Sequence, residues 1–454
     1  MHRGWWLAHR RARRRHGKEL LHAAPVHQRR PRRDASSEGR LRPRRPRQSG
    51  QDLPDAEPLS RVRARGALVS AVVVRVQPAD AAECARLLAE ASRDRHAVRI
   101  AGGMTKGYLG DARECDLELR TTSISGIIDH VPADLTVTVA AGTRVADLVS
   151  SLARFGQFLP LDPPHADGAT VGGVIAANAN GFWRSRYGGV RDLLIGTRMA
   201  LTDGTVVRAG GRVVKNVAGY DLDKLFVGSL GTLGVIVEAT LKVLPSPAAT
   251  DGVVARFADA PRAFAAAAAL VRAASRPAAL VVTRGERGGW RLVIAARGDA
   301  HSVRRAISDA ERESLARGGE IAPLTNELTE LRELPARAVD GALVRVALPL
   351  AAQSAFAETG SRVGTFAALV ADAASGIHRI HLIGDDDAVA TDAEALVLAA
   401  RVVEGNGRVE RRAEQLRARL GAWPARPSGE ALMRRLKSAF DPAGILEPGR
   451  SAVA

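Results

Sequence analysis

The chain has 454 residues, of which 46% are apolar and 25% charged, with two cysteines and a formal net charge of +17. That length allows two or three domains, each with a core of its own, and the balance is ordinary for a soluble globular protein. Two cysteines exclude a thiolate-only iron–sulfur cluster and a disulfide framework, and no apolar run is long enough to span a bilayer. A soluble protein in a reducing cytoplasm is expected.

The charge is unevenly spread. Residues 1–68 hold 19 of the 66 Lys and Arg but only 6 of the 49 Asp and Glu. Runs such as RRARRRH and RLRPRRPRQ, broken by Pro and Ser, carry no sustained apolar period. This stretch reads as a disordered Arg-rich tail or as a gene-model extension, with translation starting near Val69 or Val72. An RNA-binding or acidic-lipid-binding arm is the functional reading of the same charge. The rest of the chain is nearly neutral, and no nucleic-acid partner is expected for it.

From Val69 the pattern changes. A strand over 69–76, a helix opened by Asp80 and carried by Leu87, Leu88 and Ala91, and a strand over 97–101 make a β-α-β start. Strand 135–140, helix 145–155 and a hairpin over 199–208 with its turn at Asp203-Gly204 follow, and then a strand over 235–244 that stops at Pro245. After a linker at 246–250 the texture changes again. Strand 253–257, helix 261–275, strands 280–283 and 290–295 and helix 302–317 form one round. Strand 343–348, helix 356–371, strand 377–383 and helix 392–402 form a second. The expected fold class is α+β, with ferredoxin-like repeats in the second half. The chain closes with a helix over 432–440 and a tight return loop, DPAGILEPGR.

Between 169 and 244 glycines come in clusters, which marks backbone that turns sharply or lies against a ligand. A first loop of the same kind, AGGMTKG at 101–107, follows the second strand. Consecutive backbone N–H groups hold phosphate oxygens only where no side chain blocks them. Gly102, Gly103 and Thr105 meet that demand in the first loop, and Thr170, Gly172 and Gly173 in the second. Asn178 and Asn180 add amide groups, and Gly231-Thr232-Leu233-Gly234 leads straight into a strand. Neither a G-x-G-x-x-G in a strand-to-helix setting nor a G-x-x-x-x-G-K-[ST] occurs, which disfavours a Rossmann site and a P-loop.

Taken in order, AGGMTKG, DPPHADGATVGG, NANG and Arg186-Tyr187-Gly188 resemble the FAD-binding domain of the vanillyl-alcohol oxidase/p-cresol methylhydroxylase (PCMH-type) family. The run VVKNVAGYDLDKLFVGSLGTLGV, with Lys215, Asn216, Gly219, Tyr220, Asp221 and Leu222, and the C-terminal FDPAGILEPGR are similar to the FAD-binding E subunits of bacterial glycolate oxidase within that family. The resemblance implies a PCMH-type FAD-binding domain over 69–247 and an α+β cap over 251–454. It implies noncovalent FAD, with its pyrophosphate on Gly102, Gly103, Met104, Thr105, Lys106 and Gly107 and on Thr170, Gly172 and Gly173, and with Pro163 and His165 as further FAD contacts in the approach to the second loop. Ala177, Asn178, Gly181, Tyr187 and Gly188 would follow. Gly231, Thr232, Gly234, Val235 and Ile236 would lie along the adenine or flavin side, with the isoalloxazine between the two domains.

The activity so implied is hydride removal from the alcohol carbon of a 2-hydroxy acid such as glycolate. Electrons would pass to partner subunits, a D-type FAD subunit and an iron–sulfur F-type subunit, in the cytoplasm or peripheral to the inner membrane. Two departures matter. Leu230 stands where related 2-hydroxy-acid dehydrogenases carry Glu, and their His-rich metal-holding segment is missing, so no metal is expected. A free-standing FAD-dependent alcohol or hydroxy-acid oxidoreductase, and an assembly subunit without turnover, stay open. His378 and His381, at i and i+3 in a strand, face opposite sides. Arg345 and Arg379 are candidate carboxylate ligands that nothing in the sequence sets apart from other basic residues, and no catalytic residue is identified.

Overall fold

A computed structural model describes residues 73–453 except 212–220, 287 and 424–428. The Arg-rich tail and the motif residues Lys215, Asn216, Gly219 and Tyr220 lie outside the described residues.

The first layer is a small parallel sheet. β1 (Val74–Val76), α1 (Ala81–Asp94), β2 (Val98–Ala101) and β3 (Leu117–Arg120) give the strand order β1-β3-β2. Asp80 starts α1 by accepting from the N–H groups of Ala82 and Glu83, and Arg95 ends it in the left-handed region. Cys84, Leu87, Leu88 and Ala91 are the buried stripe that the helical spacing predicts.

The second layer is antiparallel. β4 (Ile127–Val131), β5 (Thr136–Ala140), α2 (Val145–Ala153), β6 (Gln157–Phe158), α3 (Val171–Ala177), α4 (Arg184–Tyr187), α5 (Val190–Leu193), β7 (Leu194–Ala200), β8 (Val206–Gly210), β9 (Val235–Lys242) and β10 (Leu244–Pro245) follow in order. Five of these strands form one sheet in the order β4-β5-β9-β7-β8, and β7 and β8 are the hairpin joined at Asp203-Gly204. Leu148, Leu152, Ile175, Leu194, Met199, Phe226 and Leu241 fill the core beneath.

Past Pro245 come β11 (Ala249–Phe257), α6 (Ala260–Arg272), β12 (Ala279–Gly285), β13 (Trp290–Gly298), α7 (Ala300–Leu315) and β14 (Glu320–Pro323). Two short helices, α8 (Glu327–Arg332) and α9 (Leu334–Arg337), lead into the second round. It consists of β15 (Ala342–Ala347), α10 (Gln353–Gly360), β16 (Phe366–Asp372), β17 (Ile377–Leu382), α11 (Asp386–Val402) and β18 (Asn406–Arg412). All eight strands make one antiparallel sheet, β14-β11-β13-β12-β16-β17-β15-β18. It is two βαββαβ units joined edge to edge through β12 and β16, the ferredoxin-like repetition that the sequence suggests.

One expected element is corrected. The helix expected over 356–371 is a helix only to Gly360, and 366–372 is the strand that joins the two repeats. An apolar run of that length does not distinguish a helix from a buried strand, and here the edge of β12 settles it by offering backbone partners. β18 has no counterpart among the expected elements.

The chain ends by returning to its beginning. After α12 (Glu430–Phe440), the N–H of Val98 donates to Ile445 O at 2.8 Å and the N–H of Glu447 donates to Val98 O at 2.8 Å. The last residues thereby extend the first parallel sheet. Among the described residues no helix is long and apolar enough to cross a membrane.

Candidate functional site

β2 ends at Ala101, and the loop 102–107 that follows lies directly against residues 168–173. A Cβ on Gly103 would overlap the Gly168 carbonyl, and one on Gly102 the Thr170 hydroxyl. Only glycine lets the two loops touch. Among the described residues nothing accepts from the N–H groups of Gly103, Met104, Thr105 and Lys106. The loop lines a small cavity of about 80 Å³ together with Thr170, Gly172, Gly173, Ala177, Gly231, Gly234 and Ile236. A run of unpartnered N–H groups around a hollow that side chains do not enter is an anion cradle, and it fits a diphosphate.

The second loop plays a different part from the one expected. The N–H groups of Val171 and Gly172 donate to Thr143 O and Ala141 O, and that of Gly173 to Thr170 Oγ1 at 3.3 Å. Its donors hold α3 in place, so the free ones belong to the first loop. Strain collects at the same spot. Met104, Asn178 and Leu230 take φ of 54°, 47° and 54°, a conformation costly for a residue with a side chain and characteristic of ligand sites.

The small cavity shares Lys106, Ala177, Leu230 and Arg450 with a larger one of about 420 Å³. The far wall of the larger cavity is the sheet face of the second repeat. Arg345 on β15 is the direct cross-strand partner of Arg379 on β17 and of Arg408 on β18. All three line the cavity, as do Asp372 and Glu410.

Arg379 Nε donates to Glu410 Oε2 at 2.7 Å and its Nη2 to Oε1 at 3.4 Å. Burial pushes the Glu410 carboxyl up, but the charge and hydrogen bonds of Arg379 outweigh it and hold the group at about 2. Arg408 lies 5.1 Å from the centre of the Trp423 ring. Burial, only partly offset by Glu410, lowers Arg345 to about 10, which leaves it charged at neutral pH. Arg184, on α4, also lines the cavity. Burial also raises Asp372 to about 6 and lowers Lys106, whose Nζ donates to Pro164 O at 2.8 Å, to about 8.

The C-terminal return supplies the last wall. The N–H of Ile100 donates to Glu447 Oε1 at 2.7 Å, and Arg450 Nη2 donates to Gly107 O at 3.1 Å. Lys437 donates to the carbonyls of Thr232 and Leu446 and pairs with Asp441 at 2.6 Å.

Most of the expected cofactor residues are therefore brought together. Gly102, Gly103, Met104, Thr105, Lys106 and Gly107 line the small cavity, and Asn178, Gly181 and Thr232 the larger. Five line neither. Pro163 borders a separate apolar hollow, and Val235 is buried in β9. The N–H of His165 donates to Glu333 Oε2 at 2.9 Å. Tyr187 meets the Phe158 ring edge-on at 5.6 Å, and Gly188 follows it at φ 84° to close α4. Asn180 is tied locally, donating to Asn178 and accepting from Val190 N–H.

Other residues were not singled out by the sequence: Asp372, Arg408 and Glu410 reach the site through sheet register, Arg184 from α4, Tyr108 just after the first loop and Arg450 at the end of the C-terminal return. Neither cavity is lined by histidine among the described residues, and no group of three or more His, Cys, Asp or Glu there is placed to hold a metal ion.

Comparison with known proteins agrees with this geometry. Residues 72–210 match the FAD binding domain family, and residues 380–451 match the C-terminal domain of FAD linked oxidases. Both matched stretches are domains of FAD-linked oxidases, and the cofactor is FAD. It is 40% identical over 36% of its length to glycolate oxidase subunit GlcE of Escherichia coli, covering 46% of that protein. It is 33% identical over 45% of its length to glycolate oxidase subunit GlcD of Bacillus subtilis, covering 44% of that one. These matches span less than half of either relative. An FAD-linked oxidoreductase of Mycobacterium tuberculosis is 27% identical over 82% of this chain and 89% of its own. The structure of p-cresol methylhydroxylase with substrate bound shares the fold, with a TM-score of 0.65 at 16% identity, over 84% of this chain and 88% of that one.

Proposed function

We propose that this protein is an FAD-dependent oxidoreductase acting on the CH–OH group of a 2-hydroxy acid, as the FAD-binding subunit of an assembly of the glycolate oxidase type. One observation carries the reading: the cradle for the FAD diphosphate opens into a cavity whose opposite wall is lined with arginines. Bound FAD supplies the acceptor for the hydride that leaves the alcohol carbon. The protein's own residues hold the acid. The guanidinium forks match a carboxylate, and partial burial strengthens that contact. We take 69–247 as the FAD-binding domain and 251–454 as the cap, with FAD held noncovalently. The electrons would pass to a D-type FAD subunit and an iron–sulfur F-type subunit, in the cytoplasm or against the inner membrane.

A free-standing oxidoreductase is the second reading. What favours it is that both walls of the cavity come from this one chain. Purifying the chain alone and recording its spectrum tests both. Flavin absorbance near about 450 nm is expected, and a preparation that takes up no FAD overturns the proposal. Bleaching by a 2-hydroxy acid without partners supports the free-standing reading. Bleaching that appears only when the partner subunits are added supports the assembly.

A further inference from the structure

We propose that the arginine row selects a 2-hydroxy acid with two carboxylates over one with a single carboxylate; this rests on the oxidoreductase reading above and narrows its substrate. β17, β15 and β18 are neighbours, and Arg379, Arg345 and Arg408 stand directly opposite one another across them on one face. Side chains so paired have Cβ atoms roughly 5 Å apart, and like charges at that spacing destabilise a sheet. The row does not serve the stability of the cap.

The acids nearby do not neutralise it. Glu410 takes both its short bonds from Arg379 and comes no closer than 4.0 Å to Arg408. Arg408 Nε is buried without an acceptor, and Arg345 has no hydrogen-bond or ion-pair partner among the described residues. Arg184, on α4, adds a fourth guanidinium to the cavity, and Asp372 is the remaining acid on this face. At the other end of the cavity the cations are already matched: Lys437 by Asp441 at 2.6 Å and Arg450 by Glu447 at 3.3 Å. Lys106 belongs to the diphosphate loop.

Among the described residues, what remains around the row is an excess of about two positive charges in a partly buried cavity. A single carboxylate would leave a partly buried guanidinium uncompensated, at a cost in desolvation. Two carboxylates balance the site, and each matches a planar fork. A cavity of about 420 Å³ has room for such an acid beside the edge of a flavin ring.

The test uses the FAD-loaded full chain and acids that cannot be oxidised. Glutarate, succinate and butyrate are titrated while the flavin absorbance and the melting temperature are followed. The dicarboxylates should bind at least about tenfold more tightly than butyrate. Arg345→Met and Arg408→Met should each abolish that preference with FAD content unchanged. Arg345→Lys keeps the charge without the fork and should restore part of it.

Equal affinity for glutarate and butyrate overturns the inference, and that wild-type result decides even if a variant fails to fold. A preference that survives in both Met variants overturns it too. Among oxidisable acids, malate or 2-hydroxyglutarate should bleach the flavin better than glycolate or lactate. Bleaching by glycolate without dicarboxylate binding overturns this inference and leaves the oxidoreductase reading standing. Bleaching by a phosphorylated hydroxy acid alone overturns the assignment of the second anion as a carboxylate. A protein that binds none of these acids, and whose flavin none of them bleaches, loses both readings.

Discussion

The two ends of the proposed site offer donors to negative charge by opposite means. At the flavin end the donors are backbone N–H groups on a loop stripped of side chains, locked by contact with residues 168–173. At the cap end they are guanidinium groups on three strands of a rigid sheet, set by cross-strand register. Backbone donors suit a ligand that never changes, since their geometry is fixed by φ and ψ. Side chains on a sheet can be replaced one at a time without disturbing the fold. The flavin end therefore carries the property common to the family, and the cap end is where specificity can vary.

Substitutions at each end should break in different ways. The largest effect is expected from Gly103→Ala, because its Cβ would overlap the Gly168 carbonyl and separate the loops. FAD affinity should fall about 100-fold or more, read by flavin content after purification and by titration of the apoprotein. Arg379→Met should instead reduce stability, because it strands the buried Glu410 carboxylate. A loss of about 3 kcal/mol in chemical denaturation is expected. Arg345→Met sharpens the contrast: it removes a like-charged neighbour from the row, so ligand-free stability should change by less than about 1 kcal/mol while the preference for dicarboxylates is lost.

A pH effect comes next in size. Burial holds Lys106 at about 8, so it is charged at pH 7 and loses its charge as pH rises through that value. FAD diphosphate should bind several-fold more weakly at pH 9 than at pH 7, and titrations of Lys106→Met should show a flat profile over that range. The smallest effect is expected from Thr170→Val, which removes the cap bond to Gly173 N–H at the start of α3. It should cost about 1 kcal/mol of stability with FAD still bound.

Much of the flavin end was legible in the sequence because its requirement is local. A loop that must admit a phosphate excludes side chains, and the string AGGMTKG records that directly. The β-α-β start and the hairpin at Asp203-Gly204 were legible for the same reason, through capping, spacing and turn chemistry. The stretch 366–372 was not, since only the edge of β12 makes it a strand. Tyr187 was placed with the cofactor on its motif, but it packs in a ring cluster with Phe158.

The sequence by itself determined a phosphate-binding glycine loop, the α+β character and the doubled pattern of the second half, all of which follow from short-range patterns of glycine, apolar period and turns; FAD came from the resemblance of its motifs to a known family. Tertiary structure alone decided that Arg345, Arg379 and Arg408 form one row in a cavity that Arg184 also lines, and that Arg450 borders the proposed cofactor cradle. Those residues are separated by tens to hundreds of positions. Only strand register and chain return bring them within reach, and neither leaves a mark on the residues beside them.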